Sequence, residues 1–372
     1  MINIQEIFMK AIELRASDIH LIEGIPPIFR INRKLSSMPY ALNVTKEDLY
    51  DVFHYFTQGN KPVEETYEQE RRLDFNYEIG GARLRVNISS SNGAPVLTAR
   101  IIEKELPKFR DLGLPDIVMR SALLPQGLIL VTGKSNSGKS TTLNALVNEI
   151  NKMENKKILM LENPIEYVHV PNKSLIVQKE VGPGKDCNSF SDGAVNALRE
   201  DCDILVIGEI RDRETMDAAL EMAESGHLVI GTLHTRSCAE TIDRIFNFYE
   251  LSDQLAVKYM LSSLLRVVVS QRLINSVKGN LLMVPEIMIV DDVIAALIRK
   301  EKFTRSEIED AIQTKFDKGN ISFVNSLANA VNNGQISLDQ AKKQLDDRGC
   351  EALDRVLNQT KERKAGTLFT WK

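Results

Sequence analysis

One short segment combines glycines, a lysine and a hydroxyl at spacings that suit phosphate binding. Within "GKSNSGKS", the pattern G-x-x-x-x-G-K-[ST] and a following threonine are formed by Gly133, Gly138, Lys139, Ser140 and Thr141. Glycines let successive backbone N–H groups turn toward phosphate oxygens, and the helix that follows adds the positive end of its dipole. The lysine supplies a point charge and the serine hydroxyl a ligand for Mg²⁺. The segment therefore predicts a nucleotide-binding loop.

The tripeptide Gly-Lys-Ser occurs twice in this segment, but only one copy fits the spacing. The second copy has Gly133 five residues before Gly138, whereas the first copy has Leu128 at the corresponding position. Lys139 is therefore the predicted phosphate lysine, and Lys134 only occupies the loop. Two further loop residues complete the predicted ATP-binding set, Asn136 and Ser137.

Acidic residues follow two apolar strand patterns and could act on Mg²⁺ or on an attacking water. Glu209 comes directly after "DILVIG", and Glu162 and Glu166 follow "KILML". Ligands of open α/β sheets bind at the carboxyl ends of the strands, where these acids would lie. Nucleotide hydrolysis needs one carboxylate near the metal and one that positions or deprotonates water. The alternative is that these acids cap a helix or pair with Arg199 and Arg211.

Two histidines bound one apolar strand pattern, "HLVIGTLHT". His227 and His234 are seven residues apart, so a regular strand would point their side chains to opposite faces. This spacing argues against a shared metal site. His234, at the carboxyl end, is a candidate polar sensor beside the nucleotide, and a structural histidine is the alternative.

The elements that would position these residues alternate between strands and helices. Four near-continuous apolar strands are predicted at 127–132, 157–161, 203–208 and 227–232. Helical patterns alternate with them, at 139–151, 190–200, 213–225 and 239–248. Such alternation is typical of a parallel sheet covered by helices on both faces. The predicted fold class is therefore α/β.

The remainder of the chain divides into regions with different sequence patterns. Residues 1–105 combine one helix with short alternating strands, which predicts a small α+β domain. Two prolines and mixed charge in 106–116 suggest a linker. We expect an ATPase domain over 117–290 and a helical C-terminal region over 291–372 packed on it, with helical patterns recurring from residue 253 onward.

Composition narrows the classes of function. The formal net charge is −4 and no basic stretch is interleaved with aromatic residues, which argues against a nucleic-acid partner. The longest apolar stretch, 281–290, is interrupted by Pro285 and Glu286 and is too short to cross a bilayer. The four cysteines form no C-x-x-C pair, so no zinc site or disulfide framework is expected. We expect a cytoplasmic protein whose membrane contacts go through a partner.

Four segments, in order, resemble the type II/type IV secretion ATPase superfamily and, within it, the type IV pilus retraction ATPases. "SDIHLIEGIPPIFRIN" is similar to the start of the family's PAS-like N-terminal domain, and "LENPIEYVH" to its Asp box. "LREDCDILVIGEIRD" is similar to the Walker B region, and "ESGHLVIGTLHT" to the His box. The resemblance runs from near the start of the chain to at least residue 336. It implies a PAS-like domain, a RecA-like P-loop NTPase domain and a helical C-terminal region.

The resemblance also implies roles for single residues. Glu166 becomes the glutamate that activates water, and Glu209 the Walker B acid near Mg²⁺. The His-box residues are His227 and His234. Candidate arginine contacts to the phosphates, including those of a neighbouring subunit, are Arg83, Arg85 and Arg100. Ordinary exposed strand arginines are the equal alternative.

A C-terminal segment and three differences from the family's motifs bear on which subfamily the chain resembles. "AALIRKE" resembles the segment that retraction motors need for retraction, and it nominates Leu297, Ile298 and Arg299, although a core-facing helix explains the two apolar residues equally well. Lys134 and Asn136 stand where the family loop has Pro and Gly, and Asn163 stands where the Asp box has Asp. Asn tolerates left-handed backbone angles, so we expect the loop to form. The absence of a tetracysteine motif favours retraction over extension.

Together these features predict a hexameric, Mg²⁺-dependent ATPase that drives pilus retraction. Its expected partners are copies of itself, an inner-membrane platform protein of the pilus and a paralogous motor. It would act at the inner face of the inner membrane. One alternative is an accessory ring subunit that binds nucleotide with little turnover, motivated by the altered loop and Asn163. A RecA-like motor on nucleic acid is the other.

Overall fold

The computed structural model describes residues 2–32, 34–102, 106–182, 184–314 and 319–367. The chain forms two compact units, Met1–Leu106 and Pro107–Lys372.

The N-terminal unit is a six-stranded antiparallel sheet with helices on one face. Its helices are α1 (Ile4–Glu13), α2 (Lys46–Thr57) and α3 (Lys61–Glu70). Its strands are β1 (Asp18–Leu21), β2 (Ile28–Ile31), β3 (Lys34–Ser37), β4 (Arg72–Ile79), β5 (Ala82–Ser91) and β6 (Ala94–Ile102). The strand order is β3-β2-β1-β6-β5-β4. Alternate residues of β5 (Leu84, Val86 and Ile88) are buried, as expected for a sheet with one covered face.

The second unit is built on a seven-stranded sheet. Its strands are β7 (Gly127–Thr132), β8 (Lys157–Glu162), β9 (Leu175–Glu180), β10 (Ile204–Ile207), β11 (Leu228–Leu233), β12 (Leu265–Asn275) and β13 (Leu281–Ile289). They lie in the order β13-β12-β7-β11-β10-β8-β9. All adjacent pairs are parallel except β12 and β13.

Helices cover both faces of this sheet. They are α4 (Asp116–Ser121), α5 (Lys139–Met153), α6 (Phe190–Ala197), α7 (Arg213–Glu224), α8 (Cys238–Phe246), α9 (Leu251–Leu264), α10 (Asp292–Arg299), α11 (Arg305–Thr314), α12 (Phe323–Asn332), α13 (Leu338–Lys342) and α14 (Asp347–Thr367). One core joins the sheet to α6 through α11, and another joins its opposite face to α4 and α5. The predicted α/β class with a doubly covered parallel sheet is confirmed.

The sequence expectation of continuous helix from residue 253 onward is wrong for β12 and β13. These strands form an antiparallel pair at the edge of the sheet, and the apolar stretch 281–290 is mostly β13. Val267, Val268 and Val269 are all fully buried, because β12 is covered on both faces. A strand buried on both faces has no alternation to distinguish it from a buried helix.

The suggested linker, 106–116, has local structure and buried side chains of its own. The segment from Pro107 belongs to the second unit, and it contains a short 3-10 helix, Phe109–Leu112. Phe109 and Leu114 are buried in the core that includes α5. Two prolines mark irregular backbone here, but the apolar side chains between them fix the segment to the domain that follows.

No helix in the described ranges combines the length and the apolar character needed to span a membrane.

Candidate nucleotide-binding site

The loop between β7 and α5 has backbone conformations that require its glycines. Gly133 has a φ of +150° and Gly138 a φ of +87°. A Cβ atom on Gly133 would lie 2.3 Å from Ser137 Oγ and 2.6 Å from the carbonyl oxygen of Gln271. Side chains are therefore excluded at Gly133 by both angle and space. The loop ends at the N-terminus of α5, where backbone N–H groups are unpaired within the helix.

Asn136 also lies in the left-handed region, with a φ of +61°. This is the position where the resembled family has glycine. Asn adopts such angles more readily than most residues because its short side chain bonds locally. The expectation that the altered loop still forms is confirmed in the structure.

Lys139 is buried and its ammonium group folds back over the loop. Its Nζ donates to the carbonyl oxygens of Gly133, at 3.0 Å, and Lys134, at 3.1 Å. Burial lowers the pKa of Lys139, and the nearby charges of Glu209 and Glu166 oppose that shift. The buried Ser137 hydroxyl has no hydrogen-bond partner among the described residues. A phosphate oxygen is a partner that fits both the ammonium and this hydroxyl.

A chain of polar contacts runs from Lys139 to the acid after β10. Lys139 Nζ lies 3.5 Å from His234 Nδ1, and His234 Nε2 lies 3.1 Å from Glu209 Oε1. Because the ammonium can only donate, Nδ1 accepts and Nε2 carries the proton that faces Glu209. Burial and the Lys139 charge lower the pKa of His234 and keep the ring neutral. The structure thus brings together three predicted site residues from three strand ends.

Glu209 remains ionised in this position. Burial disfavours its charge, but a 2.5 Å hydrogen bond from Arg211 and the charges of Arg211 and Lys139 lower its pKa. Its carboxylate and the Ser140 hydroxyl are hard oxygen donors of the kind that Mg²⁺ prefers. These two residues therefore fit the metal ion that accompanies a nucleotide. Arg211 is the partner that the sequence offered as the alternative role for this acid.

Glu166 lies on the loop after β8, close enough to influence the charge of Lys139. It is half-buried, and it and Glu209 both act on the charge of Lys139, so the two acids lie near the same ammonium group. Lys139 and the two acids, the three predicted catalytic residues, are therefore neighbours at the carboxyl edge of the sheet.

His227 lies away from this cluster. It precedes β11 at the amino end, where its carbonyl oxygen accepts from the N–H of Gly127 at 3.1 Å. Its Nδ1 contacts Ser225 Oγ at 3.0 Å and the Met222 carbonyl oxygen at 3.1 Å. The two histidines thus bound opposite ends of one strand, about 20 Å apart at 3.3 Å per residue. Local contacts in the turn account for His227.

The three candidate arginines lie on β5 and β6 of the N-terminal unit. Arg85 and Arg100 are directly opposite one another in the sheet. Arg100 Nε is 2.9 Å from the buried Asp18, and Arg85 Nε is 3.9 Å from Asp74. One nitrogen of Arg83, Nη1, is buried without a hydrogen-bond partner in the described part of the chain. Two of the arginines therefore have acidic partners within their own unit.

The segment that resembles a retraction motif forms α10. Ile298 is fully buried and Leu297 half-buried against the core, whereas Arg299 is exposed. Core packing explains the two apolar residues, as the alternative interpretation anticipated. Arg299 is the member of this set that is open to solvent.

Gln271 on β12 is a supporting residue that the sequence analysis missed. It is 1% exposed, its Nε2 donates to the Ser137 carbonyl oxygen at 2.9 Å, and its Oε1 accepts from Thr142 Oγ1 at 3.0 Å. It joins the phosphate loop and the first turn of α5 to the neighbouring strand. The signal available was the β-branched run at 267–269, which indicates a strand beside β7.

Comparisons with known proteins agree with this geometry. The model of the type II/IV secretion system protein family matches residues 1–341. The chain is 37% identical over 345 residues to the type IV pilus retraction ATPase PilT of Pseudomonas aeruginosa, covering 92% of this chain and 97% of that protein. It is 39% identical over 279 residues to a twitching motility protein of Neisseria gonorrhoeae, covering 74% of each. A crystal structure of the pilus retraction motor PilT with bound ADP has a TM-score of 0.82 and 35% identity, covering 95% of this chain and 100% of that one.

Proposed function

This chain belongs to the type II/IV secretion system protein family, and we propose that it is an ATP-hydrolysing motor that drives retraction of a type IV pilus. The observation that carries the proposal is the cluster of Lys139, His234 and Glu209 around a phosphate loop. This cluster lies in a chain similar to a pilus retraction ATPase over nearly its whole length.

In the proposed reaction, the residues at the carboxyl edge of the sheet bind and orient the nucleotide. The loop backbone, Lys139 and the Ser137 hydroxyl contact phosphate oxygens, and Gly138, Ser140 and Thr141 place the start of α5 beside them. Ser140 and Glu209 would hold Mg²⁺, directly or through water, and the ion would supply positive charge beside the phosphates. His234 contacts both Lys139 and Glu209 and would link these two residues when the γ-phosphate leaves.

Glu166 is the proposed base that positions the attacking water. Its carboxylate lies in the same cluster as Lys139, on a loop separate from the metal-binding acid. In-line attack on the γ-phosphate then needs positive charge near the transferring phosphoryl group and the leaving oxygen. Arg83, Arg85 and Arg100 are the candidates for this charge.

The assembly is part of the same proposal. We place a PAS-like domain at 1–105, the RecA-like ATPase domain at 117–290 and a C-terminal helical region at 291–372. The active form would be a homo-oligomer, with a hexamer as the expected ring. It would work in the cytoplasm at the inner membrane, on a platform protein of the pilus, with Arg299 exposed for such a contact.

Phosphate release by purified protein tests the enzymatic claim. Lys139→Ala removes the charge that contacts the phosphates, so we expect a fall in turnover of at least about a hundredfold. Lys134→Ala is the matched control, because Lys134 belongs to the other Gly-Lys-Ser copy and is exposed. Equal rates of phosphate release in wild type and Lys139→Ala would contradict the proposal.

An accessory subunit is the second candidate, and Asn163 favours it because the Asp box lacks one carboxylate there. A wild type that binds ATP without turnover, with turnover restored in Asn163→Asp, would support this candidate. Normal turnover in the wild type would end it.

A further inference from the structure

A buried hydrogen-bond network joins helix α5 to the loop that carries Glu166. Its members come from α5, the end of β8, the loop after β8, and β9. Asn144 is 0% exposed, Glu162 5% and His169 8%. Gln178 on β9 is half-buried beside them. Buried polar groups require partners, so these residues hold one another in place.

The carboxyl group of Glu162 receives three hydrogen bonds. Gln178 Nε2 donates to Glu162 Oε1 at 2.8 Å. The side chain of Asn144 and the backbone N–H of Glu166 also donate to this carboxyl. The backbone position of the proposed catalytic base is therefore fixed by a buried side chain four residues earlier.

Asn144 connects this group to the phosphate loop. Its Nδ2 donates to the carbonyl oxygen of Ser140 at 2.9 Å, and its Oδ1 lies 2.7 Å from His169 Nε2. Since the amide nitrogen is the donor, Oδ1 accepts and His169 Nε2 carries the proton. Burial lowers the pKa of His169 to about 4, which keeps the ring neutral at physiological pH.

Gln178 holds the loop from the opposite side. Its Nε2 donates to the Tyr167 carbonyl oxygen at 2.6 Å, and its Oε1 accepts from the backbone N–H of His169 at 2.9 Å. The loop is thus bound to β9 by its backbone and to α5 by the His169 ring. The second connection reaches the helix that carries Ser140, and Asn151 of the same helix binds the chain beyond His169.

We propose that Asn144 and His169 are positioning residues that set the distance between Glu166 and the phosphate loop. Breaking their hydrogen bond would loosen the part of the loop between Glu166 and His169 from α5 while leaving the nucleotide contacts of Lys139 intact. The defect would therefore appear in the rate of hydrolysis and not in nucleotide binding. This inference rests on the proposed function.

Steady-state kinetics of His169→Ala, Asn144→Ala and the double variant test the inference. We expect kcat for ATP hydrolysis to fall at least about tenfold in each, with KM changing less than about threefold. The double variant should lose no more than Asn144→Ala alone, because Asn144→Ala already removes the hydrogen bond to His169. His169→Gln keeps an N–H donor at a similar reach, so it should recover most of the rate.

Asn151→Ala is the matched control. Asn151 lies seven residues after Asn144 on the same face of α5 and is 2% exposed. It binds the same connecting segment farther along, through the Val170 carbonyl oxygen and the backbone N–H of Asn172, both at 2.9 Å. We expect Asn151→Ala to lower thermal stability and to leave kcat unchanged.

The outcomes separate the inference from the proposed function. An active wild type with unchanged kcat in His169→Ala overturns the inference alone. An equal loss of kcat in Asn151→Ala also overturns it, because the effect would then be general destabilisation. A wild type that releases no phosphate overturns the proposed function and this inference with it.

Discussion

At the scale of single residues, Glu162 is a buried carboxyl group whose proton affinity is set by its surroundings. Burial raises its pKa to about 7 from an ordinary 4.5, even though hydrogen bonds from Gln178 and Asn144 favour the charged form. The folded protein therefore binds a proton that the unfolded chain releases between these two values. Stability falls as the pH rises through this range, and below it the two states bind the proton equally.

Replacing Glu162 by Gln removes this titration. We expect the free energy of unfolding of wild type, relative to Glu162→Gln, to decrease by about 3 kcal/mol between pH 4.5 and pH 7. Chemical denaturation at a series of pH values measures it. The exposed Glu224→Gln is the control and should show no such trend. A stability difference that stays constant over this range contradicts the expectation.

Local sequence patterns predict some site residues and miss others for a physical reason. Lys139 and Ser140 are identified by spacing, because one loop must surround one phosphate. Asn144 and Gln178 follow no pattern, and His169 ends the Asp-box segment without a role assigned to it, since the partners of all three come from elements that meet only after folding. A buried amide or imidazole whose hydrogen-bond partners are distant in sequence produces no periodic pattern in the sequence.

At the scale of elements, β12 supports the phosphate loop from the side. Its Gln271 contacts the Ser137 backbone in the loop and the Thr142 hydroxyl in the first turn of α5. The strands β7, β8, β10 and β11 were predicted almost to the residue, because they separate into short apolar runs. The β12–β13 pair was missed, because burial on both faces removed the alternation that identifies strands.

Substitution of Gln271 tests the role of this strand. Gln271→Ala leaves a buried carbonyl and a buried hydroxyl without partners, which costs about 1–3 kcal/mol. We expect nucleotide affinity to fall about tenfold, as measured with a fluorescent ADP analogue, and the melting temperature to fall with it. Gln313→Ala is the control, because Gln313 is exposed on α11. Unchanged nucleotide affinity in Gln271→Ala would show that β12 does not support the site.

At the scale of the whole molecule, the proposed motor predicts a cellular phenotype. If the chain removes subunits from a pilus, deleting its gene leaves assembly unopposed. We expect more surface pili than in the parent strain, together with loss of surface motility. Electron microscopy and a motility assay measure both, and complementation with Lys134→Ala but not Lys139→Ala should restore the parent phenotype. Loss of pili on deletion contradicts retraction.

The two neighbouring residues of β12 reach toward different parts of the second unit. Gln271 contacts the phosphate loop, whereas the guanidinium of Arg272 stacks on the Phe323 ring at 3.7 Å and donates to the Gln344 carbonyl oxygen at 3.1 Å. Strand side chains alternate between faces, so inserting or deleting one residue in β12 would exchange these two directions at once. Descendants of this chain can therefore change the composition of β12 but not its length, and insertions and deletions should accumulate in the turn at 276–280 instead.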